Sequence, residues 1–309
     1  MILVYASLFA LAAAATAQSE GPVPTQALVR ATSRADMVPT ASSITLEVNS
    51  KATAITSFQA VPPSAIQVAL LIDDGLSRSA GIELSDIRDF ATSLPADVQL
   101  LVGYMSNGRV EILVPFTADH AAAAAKIRTP TGMPGQSASP YFCLSDFVKH
   151  WPVNTAAPKA RFVIMLTNGV DPYNGSVSLS NQDSPYVAAA ALDAERAGVA
   201  VSSIYYRDAG YGGSAASLSG QSYLQQVSNA TGGEAYYQGE MSPISLTPFF
   251  KQFVHAISET YVVTFAADAS AGGREHLVRL KMSTSMPKMK LRHPDQIRPG
   301  NMEFLPAGQ

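Results

Sequence analysis

Small polar side chains follow two apolar segments of the sequence. Residues 66–72 run into Asp73 and Ser77, and residues 162–166 run into Thr167 and Asn168. Uninterrupted apolar runs of this length are typical of parallel strands covered on both faces, and open α/β sheets bind ligands beyond the carboxyl ends of their strands. We therefore expect Asp73, Ser77 and Asn168 to converge at one crevice, where their oxygens could attract a cation or accept hydrogen bonds.

The elements around these segments alternate as a doubly wound domain requires. Helical spacing of apolar residues at 84–94 and 186–197 alternates with strand-like runs at 98–104 and 199–205. Asn107-Gly108 is typical of a tight hairpin turn, so the next strand should be an antiparallel neighbour. The sequence thus predicts an α/β fold over residues 66–258, with a mostly parallel sheet and one antiparallel edge strand.

Ser139-Pro140 is a helix-start signal, because Ser caps helix N-termini and Pro suits the first helical position. The cap is the preferred interpretation of Ser139. The helix that follows carries Cys143 among apolar neighbours, and this is the only cysteine of the chain. No internal disulfide is therefore possible, and we expect a buried, inert thiol.

Composition limits the classes of partner. The chain has 309 residues, of which 47% are apolar and 15% charged, with a formal net charge of −3. This composition can fill a sizeable core, and it offers no run of Lys or Arg for a nucleic acid backbone or an anionic membrane. Protein or small-molecule partners are the remaining expectation.

The two ends of the chain are expected to lie outside the central domain. Residues 1–17 are apolar and close with Ala15-Thr16-Ala17, the small-x-small pattern of a signal peptide, which predicts a secreted or periplasmic protein. No Lys or Arg precedes Arg30, so the positive n-region of a signal peptide is missing. The alternative is that this segment stays as an anchor, although about 16 apolar residues are short for a bilayer span. Residues 18–43 are predicted to form a flexible leader and residues 44–60 a β-hairpin, with which a β extension at 260–309 pairs.

Several strings resemble the von Willebrand factor type A (VWA) domain in its secreted bacterial form. The string Ala-Thr-Gly-Gly-Glu-Ala-Tyr-Tyr at 230–237 is similar to that family's helix, turn and last sheet strand, and Tyr261-Val262-Val263 to the strand that follows. Thr-Asn-Gly at 167–169 stands where the family has Thr-Asp-Gly. The resemblance covers residues 66–265 and implies a Rossmann-like fold with a non-catalytic role in adhesion or assembly.

The resemblance also implies a metal-ion-dependent adhesion site (MIDAS) made by Asp73, Ser77, Ser139 and Asn168. Two departures make this site degenerate, since Gly75 replaces a serine ligand and Asn168 replaces an aspartate. Mg²⁺ is held largely by carboxylates and retained waters, and strand alternation should turn Asp74 away. We expect no cofactor or a weakly bound Mg²⁺, and a protein partner at the crevice; the alternative is a metal-free structural scaffold.

An enzyme is the less favoured class. Residues 210–215 have the G-x-G-x-x-A spacing of a dinucleotide loop, and Glu234 follows at about the expected 20 residues. The loop follows a late strand, however, and the helix is expected only near Gly220, so this alternative is weak. A serine hydrolase is not supported because no G-x-S-x-G pentapeptide occurs, and the five histidines are scattered singly.

Overall fold

The computed structural model describes residues 21–33, 37–76, 83–132, 139–153, 157, 159–171, 173, 183–207, 213–239, 241–268 and 276–304, with the backbone alone at 213–217. Fourteen strands occur in these ranges: β1 (Pro22–Ser33), β2 (Ile44–Val48), β3 (Lys51–Thr53), β4 (Ile55–Ala60), β5 (Ile66–Asp73), β6 (Gln99–Ser106), β7 (Arg109–Thr117), β8 (Ala160–Thr167), β9 (Val199–Tyr205), β10 (Ala235–Tyr236), β11 (Thr260–Asp268), β12 (Val278–Thr284), β13 (Met289–Arg292) and β14 (Gln296–Ile297). Six α-helices occur in the same ranges: α1 (Leu84–Ser93), α2 (His120–Lys126), α3 (Pro140–Lys149), α4 (Pro185–Arg196), α5 (Gly213–Ala230) and α6 (Thr247–Ser258).

A six-stranded sheet in the order β10-β9-β8-β5-β6-β7 forms the centre of the molecule. Its strands are parallel except β7, which pairs antiparallel with β6. Asn107 and Gly108 connect the two with positive φ angles of 50° and 75°, as a two-residue hairpin turn requires. The predicted α/β class and the single antiparallel edge strand are therefore confirmed.

Alternation along β5 divides the core into two layers. Val68, Leu70 and Ile72 pack in one cluster with residues of α1, α2 and α6. Ala69 and Leu71 pack in the other with residues of α3, α4 and α5. Because strand side chains alternate, Asp73 continues the second set and points toward α3.

Two four-stranded sheets flank the central domain, in the orders β13-β1-β11-β4 and β14-β12-β2-β3. Both contribute apolar residues to the same cluster as α1 and α6. The C-terminal strands pair with the N-terminal ones, β11 with β4 and β12 with β2, as the sequence predicts. The flanking β element is thus continuous with the core of the central domain.

The prediction of a flexible leader over residues 18–43 is wrong for 22–33. These residues form β1, which pairs with β11 over nine residues and with β13 over four. Residues 25–31 are buried, so neither face of the strand is exposed to solvent. The sequence therefore lacks the alternation of apolar and polar residues that is typical of a half-buried strand. Pro22 and Pro24 at its start, where proline is tolerated, add to the loop-like composition.

Two further boundaries differ from the predictions. The expected hairpin over residues 44–60 is formed only by β2 and β3, because the chain leaves the sheet at Ala54 and β4 pairs with β11 in the other flanking sheet. Helix α5 begins at Gly213 and not near Gly220. The serine- and glycine-rich composition of its first turns concealed this start, since both residue types have weak helix propensity.

The segment predicted as a signal peptide, residues 1–17, lies outside the described residues. Of the helices that the structure describes, none has the length and apolar character needed to span a bilayer.

Candidate binding crevice

The carboxylate of Asp73 joins the ends of the two central strands. Its Oδ2 accepts a 2.7 Å hydrogen bond from the Thr167 hydroxyl, and its Oδ1 accepts one of 2.9 Å from the Gly75 backbone N–H. Asp73 is 5% exposed and Thr167 is fully buried. The Gly169 N–H in turn donates to Thr167 Oγ1 at 3.1 Å. The predicted convergence of the two strand ends is confirmed, and the contact that makes it is a buried hydroxyl–carboxylate hydrogen bond.

Asp74 turns to the opposite side, as strand alternation predicts. Its Oδ1 accepts hydrogen bonds from the Arg128 guanidinium at 2.7 Å and from the Thr131 N–H at 2.9 Å. Arg128 lies 4.0 Å from the centre of the Tyr104 ring, so the ion pair is held against an aromatic face. Burial alone would raise the pKa of Asp74, but these hydrogen bonds and the positive charge of Arg128 outweigh it and lower the pKa. Asp74 is therefore bound to the 128–132 loop and separated from Asp73.

The other predicted ligand residues are engaged in local hydrogen bonds. Asn168 Oδ1 accepts from the Val170 N–H at 2.9 Å, and the fully buried Ser139 Oγ accepts from the Tyr141 N–H at 3.3 Å. The cap interpretation of Ser139 is confirmed. The Tyr141 hydroxyl donates to the Gly169 carbonyl at 2.7 Å, which holds the start of α3 beside the loop after β8. Ser77, the fourth predicted ligand, lies outside the described residues.

The oxygens of Asp73, Ser139 and Asn168 are poorly suited to bind a divalent cation tightly. Both oxygens of Asp73 already accept hydrogen bonds, and Ser139 and Asn168 supply neutral oxygens. Mg²⁺ prefers hard, largely anionic oxygen ligands in an octahedral arrangement. Within the described ranges, no group of three or more His, Cys, Asp or Glu side chains is placed to hold a metal ion. Whether the crevice binds Mg²⁺ weakly stays a prediction.

A second buried carboxylate, Asp171, joins the segment after β8 to the start of α4. Asp171 is 6% exposed, and its two oxygens accept from the Ser184 hydroxyl at 2.7 Å and from the Tyr173 N–H at 3.2 Å. Ser184 Oγ also accepts from the N–H of Tyr186 at 3.2 Å, at the start of α4. The sequence gives no sign of the bond between Ser184 and Asp171, which joins side chains from two separate segments.

Three aromatic residues lie next to this carboxylate, and we call Phe142, Tyr173 and Tyr186 the rim cluster. The Phe142 ring centre lies 5.2 Å from that of Tyr173 and 4.8 Å from that of Tyr186. Tyr173 is 56% exposed and Tyr186 is 37% exposed. Phe142 follows Tyr141, whose hydroxyl binds the Gly169 carbonyl, so the cluster lies on the part of α3 that contacts the loop after β8.

Cys143 lies beneath the crevice on α3. It is buried, and burial together with the nearby charge of Asp73 raises the pKa of its thiol to about 12. A thiol with such a pKa is protonated at neutral pH and is a poor nucleophile. The predicted burial of Cys143 is confirmed, and the raised pKa agrees with an inert thiol.

The start of α5 at Gly213 removes one of the two arguments against the dinucleotide alternative, whereas the other stands, because the motif follows the late strand β9. Residues 210–212 lie outside the described ranges, and Glu234, the acidic residue that would bind a ribose, forms a 3.1 Å ion pair with Arg292 of β13. Gly220 has a packing role instead, because a Cβ there would lie 2.1 Å from the Asn168 carbonyl oxygen. This glycine lets α5 approach the loop after β8.

The strand order, the antiparallel edge strand and the contact between Asp73 and Thr167 agree with the architecture that the sequence resemblance implies. The central domain therefore has the Rossmann-like α/β architecture expected of a von Willebrand factor type A domain. No family model and no curated protein matches the sequence of this chain.

Solved structures with similarity to this fold include three bacterial proteins. A von Willebrand factor type A protein from Catenulispora acidiphila is 11% identical with a TM-score of 0.45, covering 91% of this chain and 74% of its own. The pilus adhesin SpaC from Lactobacillus rhamnosus GG is 11% identical with a TM-score of 0.47, covering 87% and 47%. An aerotolerance-related membrane protein from Bacteroides fragilis NCTC 9343 is 11% identical with a TM-score of 0.44, covering 63% and 99%.

Proposed function

We propose that this chain is a non-catalytic, protein-binding VWA module that acts outside the cytoplasm in adhesion or assembly. The observation that carries the proposal is the rim cluster, which presents two exposed tyrosines, one in the segment after β8 and one at the start of α4. Tyrosine is enriched among residues that dominate protein–protein binding, because its ring buries apolar area while its hydroxyl can form a hydrogen bond. The secretory pattern of residues 1–17 supports the location.

The rim cluster is preorganised for binding. The buried Asp171 receives the Tyr173 N–H directly and acts on Tyr186 through Ser184, so the backbone beneath both rings is fixed before a partner arrives. Fixed side chains lose less conformational entropy on association, which leaves more of the contact energy for affinity. A protein surface that contributes apolar and hydroxyl groups fits this site better than a charged one.

Metal is not required for this mode of binding. In a metal-dependent site the ion would provide the attraction for an acidic group of the partner, whereas here Asp73 serves to tie β5 to β8. We therefore infer weak or absent Mg²⁺ binding and recognition through shape and hydrogen bonds.

The partner test uses the mature chain as bait in an extracytoplasmic fraction. We expect the double variant Tyr173→Ala/Tyr186→Ala to lose proteins that the unchanged chain retains, with at least a tenfold weaker affinity, since hot-spot truncations typically cost about 2 kcal/mol or more each. Val153→Ala is the matched control, because Val153 is 72% exposed and follows the far end of α3. Equal retention by all three chains would refute the rim cluster as the binding site.

The metal test is calorimetry with Mg²⁺ and Mn²⁺ on the unchanged chain, Asp73→Asn and Asp74→Asn. Asn at 73 removes the charge while its amide can still accept from the Gly75 N–H. We expect little heat from all three chains. Micromolar binding of either ion that Asp73→Asn abolishes and Asp74→Asn retains would overturn the inference that this site binds metal weakly or not at all.

A further inference from the structure

The edges of the three sheets differ in how they resist pairing with another chain. Unpaired strand edges are templates for intermolecular β-sheet, and proteins protect them with short strands, charges, proline or bulges. Among the described residues, five of the six edge strands carry such protection: β10 and β14 with two residues each, β3 with three residues and Lys51, β13 with Lys290 and Arg292, and β7 with Arg109, Glu111 and Pro115.

Strand β4 is the exception. Its six residues, Ile-Thr-Ser-Phe-Gln-Ala, include no charge and no proline. A register shift opposite Phe265 disturbs only its start, and residues 57–60 pair regularly with β11. Thr56, Gln59 and Ala60 are exposed along it. No other described strand pairs with its outer side.

We propose that a second copy of this chain binds at this edge, through antiparallel pairing of β4 with β4 of the partner. The choice of occupant rests on charge. Self-pairing of β13 would bring Lys290 and Arg292 near their own copies, whereas self-pairing of β4 brings together uncharged residues throughout. Antiparallel pairing about a two-fold axis is also the closed, isologous arrangement that most dimers use.

Symmetry restricts the register of this pairing. A two-fold axis normal to the sheet leaves each residue on the same face of the sheet in both copies. Residues that lie opposite each other in an antiparallel pair also share a face. Because neighbouring residues of a strand point to opposite faces, both conditions hold only when one residue lies opposite its own copy. Phe58 is the favoured centre, because it stacks on Tyr261 with ring centres 4.7 Å apart at 13°. Two such stacks would then meet at the axis, with Ser57 opposite Gln59 of the second copy.

The surface next to β4 is compatible with an approaching chain. An open groove of about 490 Å³ borders Ile55 and is lined by residues of 41–46 and 52–55, none of them charged. The lining of this groove therefore places no charge against a second copy that extends the sheet.

The first test measures the mass of the chain in solution by light scattering and sedimentation between about 1 and 100 μM. We expect a concentration-dependent dimer that Gln59→Lys weakens at least tenfold, since the two introduced lysines lie near the axis. Gln225→Lys makes the same substitution on the exposed face of α5 and should leave the dimer unchanged. A monomer throughout this range, or equal loss in both variants, would overturn the proposal.

The second test checks the register by cross-linking. Cys143 is buried with a raised thiol pKa, so an introduced surface cysteine is the reactive one. In an oxidised mixture of Ser57→Cys and Gln59→Cys chains of distinguishable mass, mixed dimers should exceed both homodimers several-fold. A statistical mixture, or no cross-linked species, would contradict pairing centred on Phe58. Gln59→Lys leaves the rim cluster intact, so loss of the dimer and loss of partner capture are distinguishable.

Discussion

The buried carboxyl group of Glu195 should make the stability of this protein fall between mildly acidic and mildly basic pH. Glu195 lies on α4 and is 3% exposed. Its Oε2 accepts a 3.2 Å hydrogen bond from Gln296 of β14, while its Oε1 is buried without a hydrogen-bond partner among the described residues. Burial, together with the charge of Asp295, raises the pKa of Glu195 from 4.5 to about 8, and the hydrogen bonds from Gln296 and the charge of Arg196 offset this only in part.

The magnitude follows from the difference between the folded and unfolded pKa. Below pH 4.5 both states carry the proton and the carboxyl group adds no pH dependence. Between 4.5 and about 8 the unfolded chain loses the proton while the folded chain keeps it, so stability falls by about 1.4 kcal/mol per pH unit. The full loss is roughly 4–5 kcal/mol and is reached near pH 8.

The assay compares urea unfolding of the unchanged chain and Glu195→Gln at pH 5, 6.5 and 8. Glutamine imitates the protonated acid but cannot ionise, so the variant should gain stability relative to the unchanged chain as pH rises, by about 2–4 kcal/mol at pH 8. Glu111→Gln is the control, because the Glu111 side chain is 72% exposed and its substitution should give no such trend. A stability difference for Glu195→Gln that stays constant across the three pH values would refute the reasoning.

Other expected effects concern the crevice. Thr167→Val removes the hydroxyl that donates to the buried Asp73 carboxylate and should lower the free energy of unfolding by about 1–3 kcal/mol in urea titrations, whereas Thr167→Ser should retain most of it. Gly220→Ala places a methyl group 2.1 Å from the Asn168 carbonyl oxygen and should cost about 1–3 kcal/mol by the same measurement; an unchanged midpoint would show that α5 can move away. Because the pKa of Asp74 is lowered, its ion pair stabilises the fold above pH 3.8 and is lost as pH falls further, so Asp74→Asn should flatten the acid limb of a pH-stability curve.

The central sheet was predictable because its signals are local. Each signal acts within a few residues of the feature that it specifies. These signals are the apolar runs of β5 and β8, the Asn107-Gly108 turn and the Ser139-Pro140 helix start. Strand β1 was not predictable, since its pairing partners lie more than 200 residues away and its middle residues are buried on both faces. Nothing within β1 itself distinguishes a fully buried strand of this kind from a loop rich in Ala and Thr.

The same contrast applies to the crevice. Parallel register brings the ends of β5 and β8 together, and this much followed from two apolar runs. The bond between Thr167 and Asp73 required knowledge of which face each side chain occupies, and the bond between Asp171 and Ser184 required the path of the intervening chain. The sequence therefore predicted where the ends of β5 and β8 meet. The directions of the side chains decide which oxygens already accept hydrogen bonds.

If the proposed metal-independent binding is correct, hydrogen bonds at the ends of β5 and β8 perform the structural task that an ion performs in a metal-dependent site. Thr167 joins β5 to β8 through Asp73, Ser184 joins α4 to the loop after β8 through Asp171, and the Tyr141 hydroxyl joins α3 to the same loop. Three segments that a cation would otherwise draw together are already fixed. A crevice shaped in this way should bind its partner equally well with Mg²⁺ or with a chelator, and retention on the bait should not change between the two. A partner released by chelator from the unchanged chain, and retained when Mg²⁺ is restored, would mean that an ion completes the site after all.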